Sequence, residues 1–169
     1  MTLEEDLYYI DSGGREWLAP KGSCLNGATI PRALWSAIGS PYVGAYRRAS
    51  IVHDVAVGEL CNPTFLDATR KEADRMFHDA CLYDGCSRTF AYILYIGVRF
   101  GTWSASMRSF EKSATLTQEY YRENAEDKYI SSKFWEVVDA SSEAIENDNL
   151  DLLDEMIERE LEPSGIKLD

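Results

Sequence analysis

Histidine is scarce in this chain, with only His53 and His78 among 169 residues, and that scarcity excludes more chemistry than any other feature. A zinc site of the HExxH kind needs a second histidine four residues after the first, and position 57 is Val. A phosphohydrolase site built on a His-Asp pair needs a further histidine well upstream, and residues 1 to 52 hold none. No CxxC spacing occurs: the four cysteines are Cys24, Cys61, Cys81 and Cys86, and the nearest two are five apart. Long apolar runs are missing too, since nothing approaches the roughly 18 to 20 residues a membrane-spanning helix needs. The opening MTLEEDLYYI is acidic where a secretory signal is basic and then apolar. The expectation is a cytoplasmic protein with no membrane insertion, its four cysteines remaining thiols.

Positive charge is sparse in the last third of the chain. Residues 1 to 113 carry 13 acids against 12 bases, whereas residues 114 to 169 carry 16 acids against 5 bases, so nearly all of the net charge of -12 sits at one end. Such a face repels a phosphate backbone, which makes direct nucleic-acid binding improbable there. It is either a solvated helical surface or a contact for a basic partner.

What is present, 45% hydrophobic and 12% aromatic residues, supplies one globular core and an appendage. LYYI and EWLAP flank the turn signal DSGGR and predict a small hairpin. Pro31 opens a short helix that Gly39 closes. Helical periodicity follows in VGAYRRASIVHDVAVGEL, in TFLDATRKEADRMFHDACLYDGC and in the apolar RTFAYILYIGVRFGTWSASMRSF, where Gly97 and Gly101 leave room for a kink or a close crossing. Two amphipathic helices end the chain, SSKFWEVVDASSEAI and LDLLDEMIEREL, joined at ENDN. The predicted fold is mainly α: a compact helical core with an N-terminal β-hairpin over residues 1 to 113, and an acidic C-terminal helical hairpin over residues 114 to 169.

The chemistry-bearing pattern is His53-Asp54 on one apolar helix, facing Asp74 and, one turn later, His78 on the next. Residues four apart share a helical face, so two such helices bring imidazoles and carboxylates together. One outcome is an acid-base dyad, in which Asp74 holds one ring nitrogen of His53 and Asp54 stands alongside. A second is a divalent-metal site using Asp54 and His78, suited to zinc, manganese or calcium. A third carries no chemistry: a buried polar network that specifies helix packing.

Taken in order, NGATIPRALWSAIGSP, RRASIVHDVAV and RKEADRMFHDA resemble the small phage and bacterial proteins of domain-of-unknown-function family 1353. The family pattern T-D-G-A-S-I-P-R, H-D-x-x-Y, A-D-x-x-F and V-R-x-x-G is approached from about residue 15 to 105, its last segment by Val98-Arg99 and Gly101, one residue closer together. Two departures stand out: Asn26 replaces the usual Asp and Val57 the usual Tyr. Losing a carboxylate and a phenol moves the expectation from catalysis toward binding. The resemblance implies a ligand site that takes in Asn26, Thr29, Arg32 and Arg99. If both arginines converge on the His-Asp cluster, it suits a small anionic ligand; otherwise each neutralises an Asp such as Asp54 or Asp74.

The arrangement is also similar to that of phospholipase A2. That likeness implies His53 as base, Asp54 as metal ligand, Asp74 as the residue that orients His53, and the LNGAT loop as a source of carbonyls. The functional expectation is thus a phage-type accessory protein that binds a host protein or a small anionic ligand through the cluster and the acidic extension. The alternative is a hydrolase of an ester or phosphoester using a His-Asp dyad, with a divalent metal as its possible cofactor.

Overall fold

A computed structural model describes residues 2–25, 30–39, 44–58, 68–108 and 116–161, without the side chains of residue 32, residues 105–108 and residues 116–124. The fold is mainly α with one small hairpin, as the sequence predicts. Strands β1 (Leu7–Ile10) and β2 (Glu16–Ala19) precede a 3-10 turn (Arg32–Leu34) that runs into α1 (Trp35–Ile38). Then come α2 (Arg47–Ala56), α3 (Arg70–Tyr83), α4 (Arg88–Arg108), α5 (Leu116–Ala140), α6 (Ser142–Glu146) and α7 (Leu150–Leu161).

The described residues divide into two compact units. One comprises residues up to 29 with 40–95, and the other residues 30–39 with 96–168. Within α4 the change from one unit to the other falls between Tyr95 and Ile96.

In the first unit the hairpin is antiparallel, pairing Leu7 with Ala19 and Tyr9 with Trp17. Its turn is organised by Asp11. One carboxylate oxygen accepts from the backbone N–H groups of Gly13 and Arg15, both at 2.9 Å, and the other accepts from Trp17 Nε1 at 2.8 Å. Gly14 takes φ 82, a left-handed conformation that glycine adopts without strain. Burial pushes the Asp11 carboxyl up, but the hydrogen bonds from Trp17, Arg15 and Gly13 outweigh it and hold the group below its ordinary value of 3.8.

A folded-state pKa below the unfolded one contributes stability at neutral pH that disappears as pH falls through that range. Asp11→Asn should therefore be less stable than the parent at pH 7, and the gap should close as pH drops below about 4. Urea melts at several pH values check this, and a gap that stays constant with pH would show that the carboxylate charge is irrelevant to the turn.

Helix α2 packs against α3 and both strands. Covered on several sides, it buries Ala49, Ser50, Val52, His53, Asp54, Val55 and Ala56 in near succession. Helix α3 starts with a capping box: Thr69 Oγ1 accepts from the Glu72 N–H at 3.2 Å, and Glu72 Oε2 accepts from the Thr69 N–H at 2.6 Å. It ends at Gly85, whose φ is 95.

In the second unit, Pro31 and Gly39 bracket the short helix as expected, and the Gly39 N–H closes on the Trp35 carbonyl at 2.9 Å. Gly97 marks a close crossing: a Cβ there would meet the Ile30 side chain at 3.4 Å and that of Ile38 at 3.6 Å. Helix α5 packs on the 3-10 turn and on α7. Edge-to-face rings of Phe100 with Trp103 and Phe134 fill the interior, and α7 adds Leu153, Ile157 and Leu161 at the four-residue spacing read from the sequence. The expected helix through SSKFWEVVDASSEAI breaks at Ser141, which separates α5 from α6.

One cysteine expectation is corrected. Cys24 is disulfide-bonded, while Cys81 and Cys86 are free. The reducing compartment inferred from four thiols loses that support. Among the described residues no helix is long and apolar enough to cross a membrane.

Candidate functional site

The apolar spacing of α2 sets His53 and Asp54 on covered faces, with 0% and 1% of their surface exposed. On α3, Ala73, Met76, Phe77 and Ala80 define the buried stripe, and Asp74 falls within it at 0% exposure. An ionised or hydrogen-bonding group in such a place needs a partner, because unpaired burial is costly. The two helices supply it to each other: His53 Nε2 lies 2.6 Å from Asp74 Oδ1. The Phe77 ring, three residues after Asp74, packs at 5.2 Å from the imidazole and restrains it. His53 Nδ1 is buried and meets no hydrogen-bonding group among the described residues.

His78 takes a different set of neighbours. Its ring stands edge-on to Tyr92 at 4.6 Å and to Tyr95 at 6.0 Å, both on α4, and its Nδ1 lies 3.1 Å from Asp79 Oδ1. The expected metal pairing of Asp54 with His78 finds no donor set in the described residues: no group of three or more His, Cys, Asp or Glu side chains there is arranged to hold an ion.

Arg99 is buried at 1% exposure, as its apolar context implies, and two acids of the second unit lie beside it. Nε lies 3.9 Å from Asp154 and the guanidinium NH2 3.6 Å from Glu158, both on α7. Arg99 thus has acidic neighbours on α7. Its pairing partners were missed by sequence reasoning, although Asp154 lies next to Leu153 and one turn before Glu158 on the helix's apolar side. Asn26 and Thr29 fall outside the described residues. Arg32 begins the 3-10 turn, and its side chain also falls outside them.

A family model described as "Protein of unknown function (DUF1353)" matches residues 1–98. The chain belongs to the DUF1353 family. The match takes in His53, Asp54, Asp74 and His78, and stops one residue short of Arg99. Two relatives come from Sinorhizobium fredii, the uncharacterized proteins y4jT, 44% identical over 52 residues, and y4iH, 32% identical over 96 residues. The alignments cover 31% and 57% of this DUF1353 chain, but only 16% and 38% of those two proteins, so the chain spans well under half the length of the relatives it matches. No solved structure matches it.

Proposed function

We propose that His53 and Asp74 form a general-base dyad that hydrolyses an ester or phosphoester. One observation carries the reading: the 2.6 Å contact uses Nε2 of His53 and leaves Nδ1 without a hydrogen-bonding group among the described residues. Asp74 accepts the Nε2 proton and so fixes the tautomer with its lone pair on Nδ1. A water at Nδ1 then gives up its proton as its oxygen attacks the ester carbon or phosphorus, and the imidazolium, stabilised by the carboxylate behind it, returns that proton to the departing alkoxide as its C–O or P–O bond breaks. The roles match those that the phospholipase A2 likeness implies for His53 and Asp74, without its metal step.

Neither side chain has exposed surface, so substrate reaches Nδ1 only when neighbouring backbone opens, a local event of the kind that lids undergo. The phage-type accessory reading, binding a host protein or a small anionic ligand, draws less from the geometry. Its arginine at 99 is occupied by Asp154 and Glu158.

The test is turnover of a panel of carboxylic esters and phosphoesters by the full chain and by Asp74→Asn and His53→Gln, with near-ultraviolet circular dichroism as the control for folding. Folded variants should lose about 10²–10⁴-fold in rate. No turnover of either substrate class by the parent, or full turnover by folded His53→Gln, rejects the proposal.

A further inference from the structure

The last turn of α3 closes in a way that brings two thiols together. The Gly85 N–H donates to the Leu82 carbonyl at 3.1 Å, and the Cys86 N–H donates to the Cys81 carbonyl at 3.0 Å, around a left-handed Gly85. That pair of bonds is the Schellman ending of a helix, which folds the residue after the glycine back over the one five positions earlier. The two side chains so juxtaposed are commonly an apolar contact; here both are cysteine and both are free.

The two thiols are not equivalent. Cys81 is buried at 0% exposure, whereas Cys86 is half-buried and open to solvent. Burial, reinforced by the hydrogen bond to Cys86, pushes the Cys81 thiol well above its ordinary range. The same hydrogen bond, donated to Cys86 sulfur, lowers the Cys86 thiol against the opposing effects of burial and of Asp84. A thiolate is the reactive form, so the accessible member is also the one readier to attack.

We propose that Cys81 and Cys86 form a redox-active dithiol that exchanges with low-molecular-weight disulfides, Cys86 attacking and Cys81 resolving. Cys86 loses its proton to solvent, and its thiolate attacks one sulfur of RSSR, breaking that S–S bond and expelling RS⁻, which takes up a proton. Cys81 then attacks the Cys86 sulfur, breaking its bond to the second RS group, and the Cys81 proton passes to the departing RS⁻. Two electrons pass from the protein thiols to RSSR, one protein disulfide forms, and two RSH are released. The backbone turn already holds the partners together, so no long-range motion is required. The pair stands on the helix that carries Asp74 but does not depend on the hydrolytic reading.

Incubation of the full chain with oxidised glutathione, acid quenching, alkylation and peptide mapping tests this. The expected product is a Cys81–Cys86 link in a peptide two hydrogens lighter, reversed by dithiothreitol, without a persistent glutathione adduct. Cys81→Ser should instead accumulate a stable adduct on Cys86. A lasting adduct on Cys86 of the parent chain, or both thiols still alkylated after incubation, overturns the proposal. The parent map decides alone if Cys81→Ser fails to fold, and it separates this link from the disulfide at Cys24.

Discussion

His53→Ala should destabilise the chain by about 3–5 kcal/mol, the combined cost of a large-to-small change in a packed interior and of a buried hydrogen-bonding partner lost. The reason is what remains behind. Asp74 has no exposed surface, so its carboxylate would lose the imidazole at 2.6 Å without gaining water. A cavity beside Phe77 would add to the penalty. Asp74→Asn has nearly the same volume and keeps an acceptor near Nε2, so its cost should be smaller, about 1–3 kcal/mol. Denaturation midpoints for the two variants check the order. Equal and small losses, each under about 1 kcal/mol, would mean that water reaches the pair and screens it, as at a surface salt bridge. The same ordering is useful for function, because Asp74→Asn then retains enough fold for its rate loss to be read as chemistry.

Arg99→Ala should cost a similar amount, about 3–5 kcal/mol, and for a parallel reason in the second unit. Asp154 is 2% exposed, and Arg99 is a buried cation beside both it and Glu158. At 3.9 and 3.6 Å these contacts are longer than good hydrogen bonds, so their worth is mainly charge compensation and they are open to replacement by apolar packing. The double variant Arg99→Met with Asp154→Leu should therefore recover most of the loss, and a double-mutant cycle of urea melts measures the coupling. Additive losses in the double variant would show that the two residues act independently and that α7 is held by its apolar stripe alone.

The helices themselves were legible because their signals are local. Pro31 and Gly39 bracket a short helix, and apolar spacing marks α3 and α7. Each depends on residues within one turn of each other, so spacing along the chain is enough. The meeting of His53 with Asp74 was also legible, since each lies on the apolar side of its own amphipathic helix and a buried polar group needs a partner.

What covers each face was not. His78 shares the α3 spacing of Asp74 yet rests against Tyr92 and Tyr95, and Arg99, buried as expected, pairs with α7. The net charge changes near residue 113, and the compact units meet within α4 at residues 95 and 96. Surface charge and interior packing follow different residues, so one cannot locate the other.

By itself, then, the sequence determined the helical class, the hairpin, the caps and which side chains had to be buried, because periodicity and turn chemistry act over three to five residues. The tertiary structure alone decided that Arg99 belongs to Asp154 and Glu158, that His78 sits among tyrosines, and that Cys24 is oxidised while Cys81 and Cys86 are not. Those outcomes depend on which distant element packs against a face, and no local spacing specifies that choice.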